Sequence, residues 1–372
     1  MLDNRGKKKI LVICCRFFPS YSPRALRATE LAIELAKQGH NVTVYAVLGK
    51  FNYLKFEEEY KLKVKNIGKM KFATLNSDGW QRRNIIDRLL YKLFNRLLEF
   101  PDIEFMVKIP RIIRSEKNVD LLISIANPFP IHWGCALSKS LHDRDFPQTW
   151  VADCGDPYMF NKFQKHPFYF KYFEKWFSKK ADFITVPSSN IVSAYYFEFR
   201  EKIKIIPQGF NFKDIPKADN YVKNPVPTFA YAGTFYRNFR DPSLFLNYLC
   251  SVKTDFKFVV YTMDNELILP FVNRLGNKLE IRSYVSRDQL LTQLSKMDFL
   301  LHIQNLNDYG SPSKLIDYAL VKRPILKIAS DSLPVEEINE FLDGNYKNQY
   351  YIQNLDAYNI TSVAKKFLSL IK

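Results

Sequence analysis

KKILVICCRFFPSYSPRALRATELAIELAKQGHNVTVYAV, residues 8–47, carries the periodicities that decide the fold. Ile10–Cys15 is a continuous apolar run of strand length, the pattern of a strand buried on both faces. A loop through Pro19 and Pro23 follows, and Leu26–Gly39 reads as a helix with apolar Leu31, Ile33, Leu35 and Ala36 and a glycine stop. Asn41–Val47 alternates toward strand character. Strand, helix and strand make a βαβ unit, the repeat of an open α/β sheet. Its first loop, Phe17–Arg27, should lie at the carboxyl edge of the sheet, where ligands bind.

The same alternation continues outward. Strands are expected at Asp120–Ala126, Thr149–Ala152 and Phe183–Val186, with helices over Ile131–Leu141 and up to about Lys180. The texture changes after Pro207, where three prolines and mixed charge without periodicity mark a connector. A second α/β set follows, with strands at Thr228–Ala232, Lys257–Tyr261, Leu279–Arg282, Phe299–Ile303 and Ile325–Ile328. A chain of 372 residues is long for one core. The expected organisation is therefore a first domain over 1–207, a linker over 208–227, a second domain over 228–354, and a final helix in 355–372 that packs back toward the first domain.

The net charge of +17 implies an anionic partner: nucleic acid, an anionic membrane surface or a phosphorylated substrate. The aromatic share of 15% does not choose among them, because aromatic rings stack on bases, sugars and lipid headgroups alike. The five cysteines show neither metal-ligand spacing nor a CxxC, and Cys14 and Cys15 sit in a buried strand, which fits a reduced, cytoplasmic setting. The start is basic and then apolar, but Arg16 interrupts the run and no small-residue cleavage site follows, so a signal peptide is not expected. No run is long and apolar enough for a membrane span.

The chemistry concentrates in YGSPSKLIDYALVKRPILKI, residues 309–328. Pro312 and Ser313 make a good helix start, and a helix N-terminus offers free N–H groups and partial positive charge to a phosphate. Lys314 adds a full charge, and Asp317 follows one turn beyond Ser313 on the same face, placed to accept two ribose hydroxyls. An ordinary capped helix with a surface Lys–Asp pair gives the same pattern. The other half of the argument is AYAGTFYRNFR, residues 230–240, where Gly233 ends a strand and lets backbone approach a phosphate. Thr234 follows it, and Arg237 and Arg240 are guanidinium clamps for a diphosphate.

These motifs resemble GT-B glycosyltransferases of the family 4 type, which make bacterial polysaccharides, and the resemblance covers nearly the whole chain. Residues 8–47 look like the family's opening strand, proline loop and helix. FPDIEF, DLLISIANPFPIHWG and WVADCGDPY resemble its first domain, KIKIIPQGFN its domain junction, and SPSKLIDYALVKRPIL its donor-site helix. The resemblance implies an α/β GT-B fold, two Rossmann-like domains facing each other across a cleft. It implies a donor site in which Asp317 holds the nucleotide ribose, backbone around Ser313, Lys314 and Leu315 holds the diphosphate, and basic residues after Gly233 neutralise it. The chain departs from the family pattern at four places. Tyr309 stands where a first glutamate contacts the sugar, Asp317 replaces the second glutamate, Thr234 an arginine, and Gly155 the arginine of the DfRDPw segment.

In the first domain, Ser22, Arg24 and Arg27 are candidates to meet a donor phosphate or an anionic acceptor, with a solvated basic helix start as the alternative. Asp153 or Asp156 is placed to orient an acceptor hydroxyl or act as a base, although a turn-forming DxxDP explains them equally. His132, at a helix start, is a third catalytic candidate or a buried, satisfied imidazole. Across Trp80–Arg114 apolar residues recur at near-helical spacing, flanked by Arg82, Arg83, Arg88, Lys92 and Arg96. Such a stretch either faces the core or lies in a membrane interface.

The expected activity is transfer of a sugar from a nucleotide-sugar, which is a substrate and not a cofactor, to a saccharide or lipid-linked saccharide. The transfer is expected to retain configuration and to need no metal, since no DxD pair flanked by strand is present. The expected place is the cytoplasm, peripheral on the inner face of the plasma membrane. A competing reading is a nucleotide-sugar 2-epimerase or hydrolase of the same fold. A nucleic-acid binder is weaker, because no RNP, KH, helix-turn-helix or zinc pattern appears. A dehydrogenase fails because the first βα turn lacks GxGxxG.

Overall fold

The computed structural model describes residues 6–68, 70–71, 85–141, 143–161, 164–212, 221–237, 239–283, 285–304 and 313–372. It divides into two units, Met1–Phe210 with Ala357–Lys372, and Asn211–Asp356. The strands of the first unit are β1 (Lys9–Cys14), β2 (Asn41–Ala46), β3 (Lys63–Asn66), β4 (Leu121–Ile125), β5 (Thr149–Asp153), β6 (Phe183–Val186) and β7 (Ile203–Ile205). They form a seven-stranded sheet in the order β3-β2-β1-β4-β5-β6-β7, parallel throughout. β4 and β5 are buried along their whole length, which is why LLISI and TWVAD carry apolar residues on both faces. The order reverses beside β1, whose neighbours are β2 and β4, so the loops after β1 and β4 border a switch point.

Helices α1 (Pro23–Lys37), α2 (Leu54–Tyr60), α3 (Ile85–Leu98), α4 (Glu104–Ser115), α5 (Pro130–Leu141) and α6 (Phe170–Lys180) complete the first run of chain. Helix α1 starts earlier than its apolar positions indicate, because Ser22 caps it, accepting from the Ala25 N–H at 3.4 Å, and Pro23 fits the first turn. Helix α4 buries Phe105, Ile109, Ile112 and Ile113. Helix α3 does the opposite: Ile86, Leu89, Leu90, Leu93, Phe94, Leu97 and Leu98 are all exposed. The core-facing alternative for this stretch therefore describes α4 and not α3.

The second unit has β8 (Thr228–Ala232), β9 (Lys257–Tyr261), β10 (Leu279–Arg282), β11 (Phe299–Gln304) and β12 (Ile325–Ala329) in the order β10-β9-β8-β11-β12. Its helices are α7 (Ser243–Ser251), α8 (Leu269–Leu275), α9 (Arg287–Leu294), α10 (Ser313–Leu320) and α11 (Val335–Leu342). Register pairs Phe229 with Phe258 on one side and Phe299 on the other, so three rings stack across the sheet with centroids 4.7 and 4.5 Å apart. The order reverses at β8, placing the turn after it at a second switch point.

The expected linker is anchored at both of its described ends. Phe210 exchanges backbone hydrogen bonds with Tyr358 and Ile360 in the first unit. Near the other end, the buried Asp298 carboxylate accepts from the Thr228 N–H at 2.7 Å, the Asn224 N–H at 3.2 Å and the Tyr221 hydroxyl. The last helix, α12 (Ile360–Leu368), belongs to the first unit, where Ile360, Val363, Ala364 and Phe367 enter one core with Val12, Leu31 and Leu35. Full burial of a side chain such as Phe367 stabilises by about 1.5–3 kcal/mol.

Candidate functional site

In the second unit the switch point is built by β8 and α10. Tyr318, on α10, accepts the Ala232 N–H at 2.8 Å and so locks the helix against the end of β8. One turn earlier on that helix stands Lys314. Gly233 follows the strand with φ +134, and a Cβ built there would fall 1.7 Å from Lys314 Nζ. The ammonium occupies space that only glycine leaves open. Lys314 Nζ donates to the Tyr231 hydroxyl at 3.3 Å, and Arg240 Nη1 reaches that hydroxyl at 3.4 Å and the Thr234 carbonyl at 3.3 Å.

These cations sit close together and out of water, and their electrostatics show it. Burial, and then the Arg240 charge, push the Lys314 ammonium down to about 7. Burial, followed by the charges of Arg240, Lys314 and Lys327, pushes the His302 imidazole down to about 3. An anion entering such a site is attracted by the cations and returns Lys314 to its protonated form. The N-terminus of α10, which begins at Ser313, adds the partial positive charge of a helix start beside it. Asp317 lies one turn along from Ser313, where Arg287 Nε and Nη2 donate to its Oδ1 at 2.9 and 2.6 Å. Burial raises the Asp317 carboxyl despite that partner. Its Oδ2 receives neither of these two bonds.

In the first unit the candidates split into two groups. Arg27 is buried and grips Asp153 with two hydrogen bonds, Nε to Oδ2 at 2.8 Å and Nη2 to Oδ1 at 2.6 Å. It also donates to the carbonyls of Ile206, at 3.1 Å, and Pro207, and lies 5.4 Å from the centre of the Phe367 ring. Thr185 Oγ1 donates to Asp153 Oδ1 at 2.7 Å. Burial alone would raise the Asp153 carboxyl, but Arg27 and Thr185 outweigh it and hold it below its ordinary range. Asp153 is thus an anchor that joins α1, β5, β6 and α12, and both it and Arg27 are committed to each other.

Asp156, in contrast, is exposed, with Arg24 Nη2 3.4 Å away. A Cβ at Gly155 would fall 1.2 Å from Arg24 Nη2, so Arg24 brings a guanidinium over the very position where the resemblance expects an arginine.

Several expectations are corrected by these contacts. His132 is fully buried between Ser124 Oγ, 2.8 Å from Nδ1, and Cys154 Sγ, 3.4 Å from Nε2. Burial pushes its imidazole down to about 3 despite the Asp153 charge, so it is a neutral core residue with no path to an acceptor. Asp153 and Arg27 are sealed in their own pair, because a guanidinium and carboxylate taken out of water satisfy each other first. Ser22 is spent on the α1 cap. Arg237 does not join the Lys314–Arg240 cluster; it is exposed and 3.6 Å from Glu266, beside a shallow pocket of about 170 Å³ that Tyr236 and Asp264 also line. The Leu315 side chain is in the core, which leaves its backbone for any ligand contact. Tyr309, Trp80, Arg82 and Arg83 lie outside the described residues. Arg88, Lys92 and Arg96 lie on α3.

Sequence reasoning overlooked three residues. Arg287 has no local signal, since it reaches Asp317 from another helix. Tyr231 looked like ordinary strand until its hydroxyl proved to be shared by both cations. Glu174 sits inside a helix of aromatic and basic residues, yet it is fully buried, its Oε1 has no hydrogen-bond partner among the described residues, and burial raises its carboxyl to about 7. Among the described residues no three His, Cys, Asp or Glu side chains group as metal ligands would.

A family model described as Glycosyltransferase Family 4 matches residues 25–213. No curated protein matches the sequence. Among solved structures the chain is similar to the lipopolysaccharide outer core galactosyltransferase WaaB in its apo form, with TM-score 0.61 at 13% identity over 98% of this chain and 99% of that one. It is also similar to Anabaena Alr3699/HepE in complex with UDP, with TM-score 0.59 at 10% identity over 98% and 96%. A UDP-GlcNAc 2-epimerase from Neisseria meningitidis bound to UDP-GlcNAc gives TM-score 0.57 at 11% identity over 97% and 99%. At such identities these likenesses speak for the fold, two parallel-sheet α/β units of the GT-B type.

Proposed function

Because the chain belongs to glycosyltransferase family 4 and is a transferase enzyme, we propose that it moves a sugar from a nucleotide-sugar to a saccharide or lipid-linked saccharide acceptor in cell-surface polysaccharide synthesis. The reaction retains configuration and needs neither metal nor cofactor in this reading. The work falls to fixed charge: Lys314, Arg240 and the first N–H groups of α10 hold the diphosphate and stabilise the negative charge that grows on it as the sugar leaves. Asp317 Oδ2 accepts the ribose hydroxyls while Oδ1 stays with Arg287. On the acceptor side, exposed Asp156 with Arg24 beside it is the pair within reach of a hydroxyl, whereas Asp153 and Arg27 hold the scaffold.

The convergence of Lys314 on Gly233 carries this reading, since a buried ammonium with a second cation beside it is costly unless an anion answers both. The test is Asp317→Ala, titrated with nucleotide-sugars by calorimetry. Loss of a charged partner to the ribose, worth about 1.5–3 kcal/mol, weakens binding about tenfold or more. Wild-type affinity in that variant would overturn the assignment.

A second reading, epimerisation or hydrolysis of the nucleotide-sugar without an acceptor, is favoured by the fold shared with the 2-epimerase. Incubating donor and enzyme alone and following the sugar by NMR separates the two. A donor that stays unchanged until acceptor is added supports transfer.

A further inference from the structure

Glu174 stands in the middle of α6 and is fully buried. Its Oε2 accepts the Met159 N–H at 3.4 Å, and its Oε1 has no hydrogen-bond partner among the described residues. Met159 belongs to a turn that begins two residues after exposed Asp156 and is closed by the Asn161 N–H on the Tyr158 carbonyl at 3.3 Å. The Tyr195 hydroxyl holds the same stretch through the Asp156 carbonyl at 3.3 Å, and the Tyr158 hydroxyl holds it through Glu99 at 2.9 Å. Glu174 is thus a tie on the loop that presents Asp156, made from the helix that follows it.

Among the described residues no cation pairs with this carboxyl. The groups that feel its charge are Cys154 and Tyr158, from the loop after β5, and Tyr195 and Tyr196, from the segment after β6. Burial raises all four above their ordinary values and keeps them neutral. His132 of α5, 3.4 Å from the Cys154 sulfur, is neutral as well. The nearby charges are engaged elsewhere: Lys175, next on the helix, with Glu198 at 2.7 Å, and Arg24 of α1 with Asp156 at 3.4 Å. A carboxylate in such surroundings is costly, so the group enters the fold with its proton.

We propose that Glu174 is a positioning residue for the acceptor side: neutral, it joins α6 to the turn after Asp156, and ionised, it lets that turn open. The proposal rests on the reading of Asp156 as the residue that meets the acceptor hydroxyl. One oxygen suffices for the Met159 N–H, and the neutral acid supplies it. Loss of the proton leaves charge on an oxygen with no donor, and water relieves it only where helix and turn part. The closed form holds the carboxyl at about 7, whereas in the open, solvated form it returns to near 4.5. The closed form therefore binds the extra proton between these values. Its advantage is full below about 4.5, falls about tenfold per pH unit up to about 7, and is constant above.

The test is hydrogen exchange by mass spectrometry on the full chain between pH 5 and 8, read on the peptide 155–161 and corrected for the intrinsic pH dependence of exchange. Wild-type protection is expected to fall about a hundredfold from pH 5 to 7 and then to level. Glu174→Gln keeps an oxygen for the Met159 N–H and cannot ionise, so it is expected to retain the pH 5 protection throughout. Glu174→Asp is shorter by one methylene, withdraws from Met159 and is expected to show low protection at every pH. Tryptophan fluorescence, which follows the first unit, reports whether each variant is folded. A flat wild-type profile, or a fall that Glu174→Gln shares, overturns the proposal. Where Glu174→Gln does not fold, Glu174→Asp decides, and a profile like the wild type's overturns the proposal. Neither donor nor acceptor enters the measurement. Failure here removes the role of Glu174 and leaves the proposed function standing, and failure of the Asp317 calorimetry does the reverse.

Discussion

Replacing Asp153 by asparagine separates scaffold from chemistry. The substitution keeps the size of the side chain but leaves the buried Arg27 guanidinium with only the carbonyls of Ile206 and Pro207 as acceptors beyond a neutral amide. Removing one partner of a buried pair costs about 3–5 kcal/mol, because the remaining charge is stranded out of water. All four tryptophans, Trp80, Trp133, Trp150 and Trp176, fall within residues 1–210, so tryptophan fluorescence follows the first unit alone. With a slope near 3 kcal/mol per molar urea, the midpoint should drop by about 1–1.7 M. The pH dependence has a definite sign. Because the folded Asp153 carboxyl is held below its ordinary value, the stability it gives is present above the unfolded value, about 3.9, and is lost as pH falls through the folded one. The gap between wild type and Asp153→Asn should therefore stay constant above pH about 5 and close below about 4. A variant that keeps the wild-type midpoint yet transfers no sugar would refute the reasoning and return Asp153 to the catalytic group.

Two further outcomes follow from the second unit. Burial lowers free Lys314 to about 7, and a bound diphosphate raises it again, so nucleotide-sugar affinity should be tightest below pH 7 and fall by up to tenfold per unit above it. Calorimetry between pH 6 and 9 checks this, and Lys314→Met should bind weakly with a flat profile; a wild-type profile that is already flat contradicts the assignment. Gly233→Ala places a methyl where Lys314 Nζ now sits, at a backbone angle that costs about 1–3 kcal/mol for a side chain. Donor binding should weaken at least tenfold, while the tryptophan-monitored midpoint of the first unit stays unchanged.

Much of the architecture was legible because both sheets are parallel and their central strands are buried. Thr228–Ala232, Lys257–Tyr261 and Leu279–Arg282 stand at the residues their patterns indicate. The short edge strand β3 escaped notice, since KVKN has one apolar residue and lies at the margin of its sheet. The residues proposed for the donor side were partly legible: Lys314, Asp317 and Arg240 are marked by spacing from a helix start and a glycine turn. Arg237 was misjudged because sequence spacing does not say which way a loop side chain turns. Arg27 and His132 misled for a related reason. A basic residue at a helix start and a histidine near a loop look available in sequence, and only three dimensions show the Asp153 carboxylate and the Ser124 hydroxyl that already hold them.

The return of the last helix to the first unit has a consequence for how the protein is made. Val12, Leu31 and Leu35 share their core with Ile360, Val363 and Phe367, which are translated only after the whole of the second unit. At about 5–20 residues per second the ribosome takes roughly 7–30 s over that intervening stretch. Throughout that interval the nascent first unit carries an open apolar groove along α1, and Arg27 lacks the Phe367 ring that finally covers it. The second unit, continuous in sequence, is free to fold first. Completion of the first unit thus waits until the second has been synthesised.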